Sequence, residues 1–231
     1  MFNPILKTGH TELRQAIEKL IAGSRTDIDF YFMLSISTLI VTLGLLEGSI
    51  VILIGGMILA PLLSPLLGIG LAITTASGKS LKWIITHLLK ALGFVILIAL
   101  IVAFLFASED NELINSFHPN LNLFLIAFAA GAGAAYAWVR PNLSPAIPGI
   151  AITVSLLPPL AATAIGIRNL SSVIISESFA LFFINLLGII LASIVIFLMF
   201  GFGTLQAEEE KIIRKEEAEE QHTQEEQKNN P

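Results

Sequence analysis

Hydrophobic residues fall into six long runs, which are separated by polar links and flanked by a polar start and a charged end. A helix needs about 20 residues to cross the hydrocarbon core of a bilayer, and the length of each run is close to this number. The pattern therefore predicts an all-α polytopic membrane protein with six transmembrane helices. They are predicted at residues 30–46, 49–76, 83–106, 121–139, 145–167 and 179–202.

The second run, residues 49–76, holds two prolines near its centre, Pro61 and Pro65. An unbroken helix of this length would measure about 40 Å, whereas the hydrocarbon core is roughly 30 Å thick. Proline removes a backbone donor and clashes with the carbonyl four residues earlier, so we expect a break within residues 60–65. Lipid tolerates such a break only where protein or a wet cavity satisfies the freed carbonyls.

A short motif recurs in the chain at an offset of 94 residues, which indicates an internal repeat, with a chance match as the alternative. The motif LLSPL at 62–66 aligns with LLPPL at 156–160. The same offset places runs one, two and three on runs four, five and six. We therefore predict two three-helix repeats, at residues 30–106 and 121–203, within a transmembrane domain of residues 30–203.

Three crossings per repeat insert the second copy upside down, which gives an inverted-topology repeat. In transporters and channels of this kind, the site lies near mid-membrane between helices that are interrupted at matching positions. Here the matching interruptions are Pro61 with Pro65 and Pro158 with Pro159, so the second and fifth helices are predicted to be broken. If a proline segment instead dips in and returns, each copy crosses twice and the halves are parallel.

Residues around the two breaks are the candidates for a solute pathway. Broken half-helices point their charged ends at the gap, so a site there needs no ionised side chain to hold an ion or polar solute. Packing alone is the alternative, since small residues and proline kinks also serve close helix contacts. The candidate pathway residues are Pro61, Ser64, Pro65, Thr153, Ser155, Pro158 and Pro159.

Three polar residues near or within the runs need an explanation. Glu47 and Arg140 occupy corresponding positions on opposite faces of the predicted repeat, so they are candidate pore mouths, with an ordinary role at the membrane boundary as the alternative. Asn185 lies inside the last run and needs a partner in lipid. For Asn185 we expect a bond between helices or subunits rather than solute contact.

Charge sets the predicted orientation. Hydrophobic residues make up 55% of the chain, and its mean hydropathy is +0.81, which is typical of an integral membrane protein. With the N-terminus inside, Arg168 is the only one of the 13 basic residues in an outer loop. Both termini are therefore expected to be cytoplasmic, in a multi-pass protein of the inner membrane. No basic patch indicates a nucleic-acid partner.

The composition argues against catalysis and cofactors. The chain has no cysteine, which excludes disulfides and thiol chemistry. No histidine or carboxylate lies at the predicted midplane of a run, and no histidines show metal-ligand spacing. We therefore expect no catalytic, cofactor or metal site and a protein that is not an enzyme. An intramembrane enzyme acting on lipid is a weak third possibility.

Two polar segments flank the predicted transmembrane domain. Residues 1–29 favour a cytoplasmic amphipathic helix with Leu13, Ile17, Leu20 and Ile21 on one stripe. Residues 204–231 form an acidic cytoplasmic tail. Its apolar residues are too few for a heptad seam, so we expect a solvated helix that frays into disorder.

Two motifs support a family resemblance. LLEGS at 45–49 with GGMILAPLLSP at 55–65, and SLLPPLA at 155–161 followed by Gly166, resemble the uncharacterised hydrophobic domain family of bacteria and archaea, domain of unknown function 389. The resemblance covers roughly residues 30–202. It implies a polytopic inner-membrane protein and no established activity. Many members carry a longer soluble N-terminal domain, whereas this chain has a short polar arm.

Two functions follow as hypotheses. The first is a channel or transporter that passes a small ion or polar solute between the two broken helices. Its expected partners are the lipid bilayer and further copies of the chain. The second is a non-conducting scaffold or sensor that acts through its cytoplasmic termini. Small residues on the helix faces and Asn185 favour a homo-oligomer without choosing its subunit number.

Overall fold

Helices account for the regular structure of the described part of the chain. The computed structural model describes residues 5–6, 8–106 and 112–229. The α-helices are α1 (His10–Ala22), α2 (Ile28–Leu46), α3 (Ile50–Met57), α4 (Leu63–Thr74), α5 (Gly78–Leu105), α6 (Leu121–Val139), α7 (Ala146–Arg168), α8 (Ser172–Phe200) and α9 (Gln206–Asn229). Short 3₁₀ turns lie at Ile114–Ser116 and Phe202–Thr204.

Among the described residues, five helices are long and apolar enough to cross a bilayer, which is consistent with a multi-pass membrane protein. They are Ile28–Leu46, Gly78–Leu105, Leu121–Val139, Gly149–Arg168 and Ser172–Phe200. The predicted second span, residues 49–76, is instead divided between α3 and α4, which are joined by the nonhelical segment 58–62. Pro61 lies in that segment. Pro65 is the third residue of α4, where its missing N–H has no intrahelical partner to lose.

The predicted break in the fifth span is wrong. Helix α7 continues from Ala146 to Arg168 with Pro158 and Pro159 inside it. Pro159 has no N–H to bond to the carbonyl of Ser155, but the side-chain amide of Asn185 on α8 donates to that carbonyl at 2.8 Å. A neighbouring helix thus replaces the missing bond, which is how membrane helices accommodate internal proline.

Helices α1 and α9 lie together at one end of the bundle, which we call the α1/α9 end. The indole of Trp138, at the end of α6, donates to the carbonyl of Ala16 on α1 at 3.2 Å. Lys79, at the start of α5, pairs with Glu217 of α9 at 2.5 Å. The chain therefore crosses the bundle from this end in α2, α5 and α7 and returns to it in α6 and α8.

Both ends of the short helix α4 lie at the α1/α9 end. A Cβ added to Gly149, near the start of α7, would lie 2.7 Å from Leu63 at the beginning of α4. At the other end of α4, a Cβ on Gly203 would lie 3.5 Å from the carbonyl of Thr74. Helix α4 thus lies across one end of the bundle and does not span it.

Two corners of the chain share one main-chain geometry. Ala76, between α4 and α5, has φ 55°, and Leu170, between α7 and α8, has φ 56°. Each is followed by a serine that caps the next helix: Ser77 accepts from the N–H of Ser80, and Ser171 accepts from the N–H of Ile174. The two corners are 94 residues apart, the same offset as the two proline motifs.

The amphipathic N-terminal helix and the tail differ in how well sequence predicts them. Leu13, Ile17, Leu20 and Ile21 are all buried along α1, as their stripe predicts. The tail is helical, but the predicted solvated and fraying helix is wrong for its first turns. Glu209 and Ile213 of α9 are fully buried against the bundle, because α9 docks beside α5 and α1.

Candidate functional site

The nonhelical segment 58–62 leaves main-chain carbonyls without partners. On its N-terminal side, the N–H groups of Leu59 and Ala60 still donate to carbonyls of α3, at 3.2 and 3.4 Å. Within the described part of the chain, no donor reaches the carbonyls of residues 58–61. The side chain of Ile58 is 54% exposed, those of residues 59–61 are half-buried and that of Leu62 is buried, so the segment runs from the surface of the bundle into it.

The segment starts near the middle of the bundle. Ser37, at the centre of α2, donates its hydroxyl to the carbonyl of Gly56 at 2.7 Å. A Cβ on Gly56 would lie 2.8 Å from the backbone nitrogen of Val41. Since α4 begins at the α1/α9 end, residues 58–62 cross the intervening half of the bundle. Unpaired carbonyls at that depth are costly in hydrocarbon, and they are tolerated where they line a cavity or protein.

A second polar group lies at the middle of α7 and α8. Asn185 is 3% exposed and holds the Ser155 carbonyl through its Nδ2 atom. Its Oδ1 atom is buried and receives no hydrogen bond from the part of the chain that the structure describes. This orientation of the amide follows from chemistry, because a carbonyl partner requires the NH₂ group as donor. Asn185 therefore presents an unused acceptor in the core.

The pairing of Asn185 with the Ser155 carbonyl was not predicted from the sequence, although the sequence contains a signal for it. Proline at 159 frees the carbonyl four residues earlier, at 155. An asparagine in a neighbouring membrane helix is a natural donor for such a carbonyl. The expectation that Asn185 bonds between helices is consistent with its contact to α7.

The hydroxyl groups among the candidate pathway residues mostly bond within their own helix. Thr153 donates to the carbonyl of Gly149 at 3.1 Å, and Ser155 donates to that of Ala151 at 2.9 Å. Ser64 lies beside Gly23 at the α1/α9 end, away from the middle of the bundle.

The four candidate prolines divide between two environments. Pro61 is half-buried in the nonhelical segment, whereas Pro65, Pro158 and Pro159 are buried among helices. The structure thus gathers Thr153, Pro158 and Pro159 in the core and leaves Pro61 nearer the surface.

The two candidate pore mouths lie at opposite ends of the bundle. Glu47 caps the C-terminus of α2 and is exposed. Arg140 ends α6, and its guanidinium carbon lies 5.6 Å and 5.2 Å from the ring centres of Tyr136 and Phe200. These cation–π contacts hold Arg140 at the α1/α9 end.

A carboxyl group is buried where the tail meets the corner between α4 and α5. Glu209 accepts a hydrogen bond from the hydroxyl of Thr75. Burial raises the pKa of Glu209, and the hydrogen bonds from Thr75 and Ser80 oppose that rise. The pKa of Glu216 is also raised, first by burial and then by the charge of Glu219. Among the described residues, no three His, Asp or Glu side chains lie close enough to hold a metal ion.

Comparison with known proteins gives a family match and no activity. A model of the family described as "Domain of unknown function (DUF389)" matches residues 57–191. An uncharacterised protein of Methanocaldococcus jannaschii is 35% identical over 179 residues, which cover 74% of this chain and 54% of that protein. The chain thus spans about half the length of that relative. No solved structure matches the chain.

Proposed function

We propose that this chain, which belongs to the DUF389 family, passes a small ion or polar solute across the membrane. The name of the family assigns no activity. The nonhelical segment 58–62 carries the proposal. Its unpaired carbonyls cross half of a bundle whose long candidate spans are apolar. A polar solute or the water around it would satisfy these groups, which lipid cannot do.

Two inverted repeats of three crossings are part of the proposal. Under the 94-residue offset, α2, α3–α4 and α5 correspond to α6, α7 and α8. A twofold relation between the repeats exchanges α4 with α7 and α5 with α8. A contact between α4 and α8 therefore requires one between α7 and α5, and both contacts are present. The matching corners at Ala76 and Leu170 support the same relation. The crossing through α3 and residues 58–62 supplies the sixth span.

The proposed path does not run between two broken helices, because only the first repeat is interrupted. Ser155 of the second repeat aligns with Pro61 of the first. At this position, the second repeat offers the Ser155–Asn185 pair and the free Oδ1 atom of Asn185. We propose that the path is lined by residues 58–62 on one side and approaches this polar pair on the other.

We also propose a homo-oligomer in the inner membrane with both termini cytoplasmic. Helix α3 presents Val51 and Ile54 on its surface, 82% and 45% exposed, next to the nonhelical segment. A second copy packed on α3 would shield residues 58–62 from lipid. The excess of basic residues at the α1/α9 end supports the cytoplasmic placement.

Solute flux into liposomes containing the purified protein tests the proposal. Gly55 of α3 is exposed, and a Cβ there meets no atom within 4 Å, so the fold accommodates Gly55→Phe while a large ring intrudes beside the segment. We expect this variant to lower the flux to that of empty liposomes. Gly93→Phe is the matched control, since Gly93 is an equally open glycine on α5, and it should leave the flux unchanged.

Two results would contradict conduction. One is a wild-type protein that passes none of a broad panel of ions and small polar solutes at either voltage polarity. The other is an equal loss of flux in Gly55→Phe and Gly93→Phe, with both variants eluting as wild type from a sizing column. The second result would indicate a general effect of aromatic substitution.

The docked tail favours a second candidate, a scaffold or sensor that acts through its termini. Removing residues 214–231 leaves the buried Glu209 and Ile213 in place. A conducting protein should keep its flux after this truncation. A scaffold should lose capture of its partners while its helices remain folded.

A further inference from the structure

A cavity of about 370 Å³ lies between the start of α5 and the tail helix α9. Five of its lining residues belong to α5, where they recur every three or four positions and so share one helix face. Most of them carry a positive charge or a hydrogen-bond donor. The lining residues are Lys79, Lys82, Trp83, Thr86, His87 and Glu217.

Side chains of this cavity already bind anions that belong to the same chain. The Nζ atom of Lys79 lies 2.5 Å from a carboxylate oxygen of Glu217. Glu220 receives the indole N–H of Trp83 at 3.4 Å, and its other oxygen lies 3.4 Å from Nε2 of His87. The donors are therefore arranged to hold oxyanions, and the two carboxylates of α9 occupy them.

The cationic side is not fully used by these carboxylates. Lys82 also lines the cavity, and none of the described carboxylates lies within ion-pair distance of its Nζ atom. An oxyanion with more oxygens and more charge than a carboxylate, such as a phosphate group, would engage Lys79 and Lys82 together.

The apolar surface of α5 continues directly from this cavity. Ile85 is 37% exposed and Leu89 is 62% exposed, one and two turns beyond Lys82. An apolar surface that begins beside a Trp and two Lys side chains is the composition of a membrane–water interface. The cavity thus lies where a lipid headgroup would meet it while the acyl chains cover Ile85 and Leu89.

We propose that this cavity binds the phosphate headgroup of an anionic phospholipid, in competition with Glu217 and Glu220 of α9. Basic cavities at the cytoplasmic face of membrane helices attract such headgroups. Binding of the lipid would displace the two carboxylates and release this part of α9 from α5. The inference stands on the cavity and its ion pairs and does not depend on conduction.

Native mass spectrometry of the full chain in neutral detergent, titrated with phosphatidylglycerol, tests the proposal. We expect Lys79→Gln and Lys82→Gln each to weaken binding about fivefold. Lys90→Gln, on the same helix and outside the cavity, should bind as wild type does. Glu217→Gln should strengthen binding about fivefold, because it removes the competing charge. Glu219→Gln, which removes an equal charge from the same helix outside the cavity, should not.

Three outcomes would overturn the proposal. Equal weakening by Lys79→Gln and Lys90→Gln would indicate attraction to overall charge. A Glu217→Gln variant that binds no more tightly than Glu219→Gln would exclude competition with α9. Displacement of phosphatidylglycerol by equimolar inorganic phosphate would assign the cavity to a soluble anion, whereas retention of the lipid supports the headgroup and its apolar anchor.

Discussion

At the scale of single residues, a proline inside a helix has no N–H, so a main-chain carbonyl one turn earlier needs another hydrogen-bond donor. Pro159 frees the carbonyl of Ser155, and Asn185 supplies the replacement donor from α8. The need of Asn185 for a partner could be predicted, because a buried amide in lipid is costly. Which carbonyl it reaches depends on the rotation of α8 against α7, and a local pattern does not contain that angle.

The pairing of Asn185 with Ser155 makes a prediction about stability. Asn185→Ala leaves the carbonyl unpaired and should lower the free energy of unfolding by about 1 kcal/mol. In a Pro159→Ala background, residue 159 regains an N–H that bonds to the same carbonyl, so the cost of Asn185→Ala should fall to about half or less. Unfolding of the four proteins by SDS measures both costs. Equal costs in the two backgrounds would show that the carbonyl is not what Asn185 stabilises.

At the scale of helices, the break before α4 lies close to where Pro61 predicts it, and the break in α7 does not exist. The two prolines of the first repeat act differently: Pro61 lies outside any helix, and Pro65 fits the first turn of α4. Such a first turn needs no N–H at its third position. Sequence spacing alone does not show whether a neighbouring helix repairs a proline site, as α8 does for α7.

The docking of α9 was beyond sequence reasoning for a related reason. Acidic residues dominate the tail, so its composition indicates solvation. Burial of Glu209 depends on the hydroxyl of Thr75, which is far away in the chain and near in space. A carboxyl group with a hydroxyl partner is cheaper to bury than its charge suggests, and cheaper still when it is protonated.

Burial of Glu209 makes the docking of α9 dependent on pH. Its pKa is raised in the folded protein, so the docked state binds the proton more tightly than the undocked state. Stabilisation of docking is therefore complete below the ordinary carboxyl pKa and is lost as the pH rises through the raised pKa. Glu216 contributes with the same sign. Tryptic cleavage after Lys211 and Arg214 should be slower at pH 5.5 than at pH 8 once it is corrected for the pH dependence of trypsin on an unfolded substrate.

Glu209→Gln supplies the control for this dependence. The amide mimics the protonated carboxyl, so we expect slow cleavage at both pH values and a smaller difference between them. Glu210→Gln, at the half-buried neighbouring position, should retain most of the wild-type difference, because the charge of Glu210 is the smallest of the causes that act on the pKa of Glu209. A Glu209→Gln variant with the full wild-type difference would assign the effect to another group.

At the scale of the whole molecule, the proposed repeat relates the two halves of the bundle by an offset of 94 residues. The short motif match suggested this correspondence of helices, and it stays a prediction. It did not predict that α4 lies across one end of the bundle, because that placement depends on contacts with α1, α7 and α8. Those contacts join segments from both halves and have no local signature.

The proposed inverted relation predicts on which side of the membrane each corner lies. The chain has no natural cysteine, so Ala76→Cys and Leu170→Cys each introduce a single thiol at an exposed corner. An impermeant maleimide added to sealed, oriented vesicles should label the two variants from opposite sides. Labelling of both from the same side would mean an even number of crossings between them, and the halves would then be parallel.

The bond between Thr75 and Glu209 has a mechanical consequence. Thr75 caps the C-terminus of α4, and Glu209 belongs to the first turn of α9. Helix α9 has 24 residues and is about 36 Å long. Because Lys79 and His87 of α5 pair with Glu217 and Glu220 further along α9, the tail joins the end of α4 to the start of α5, and a displacement of α4 against α5 must either break these pairs or carry α9 with it.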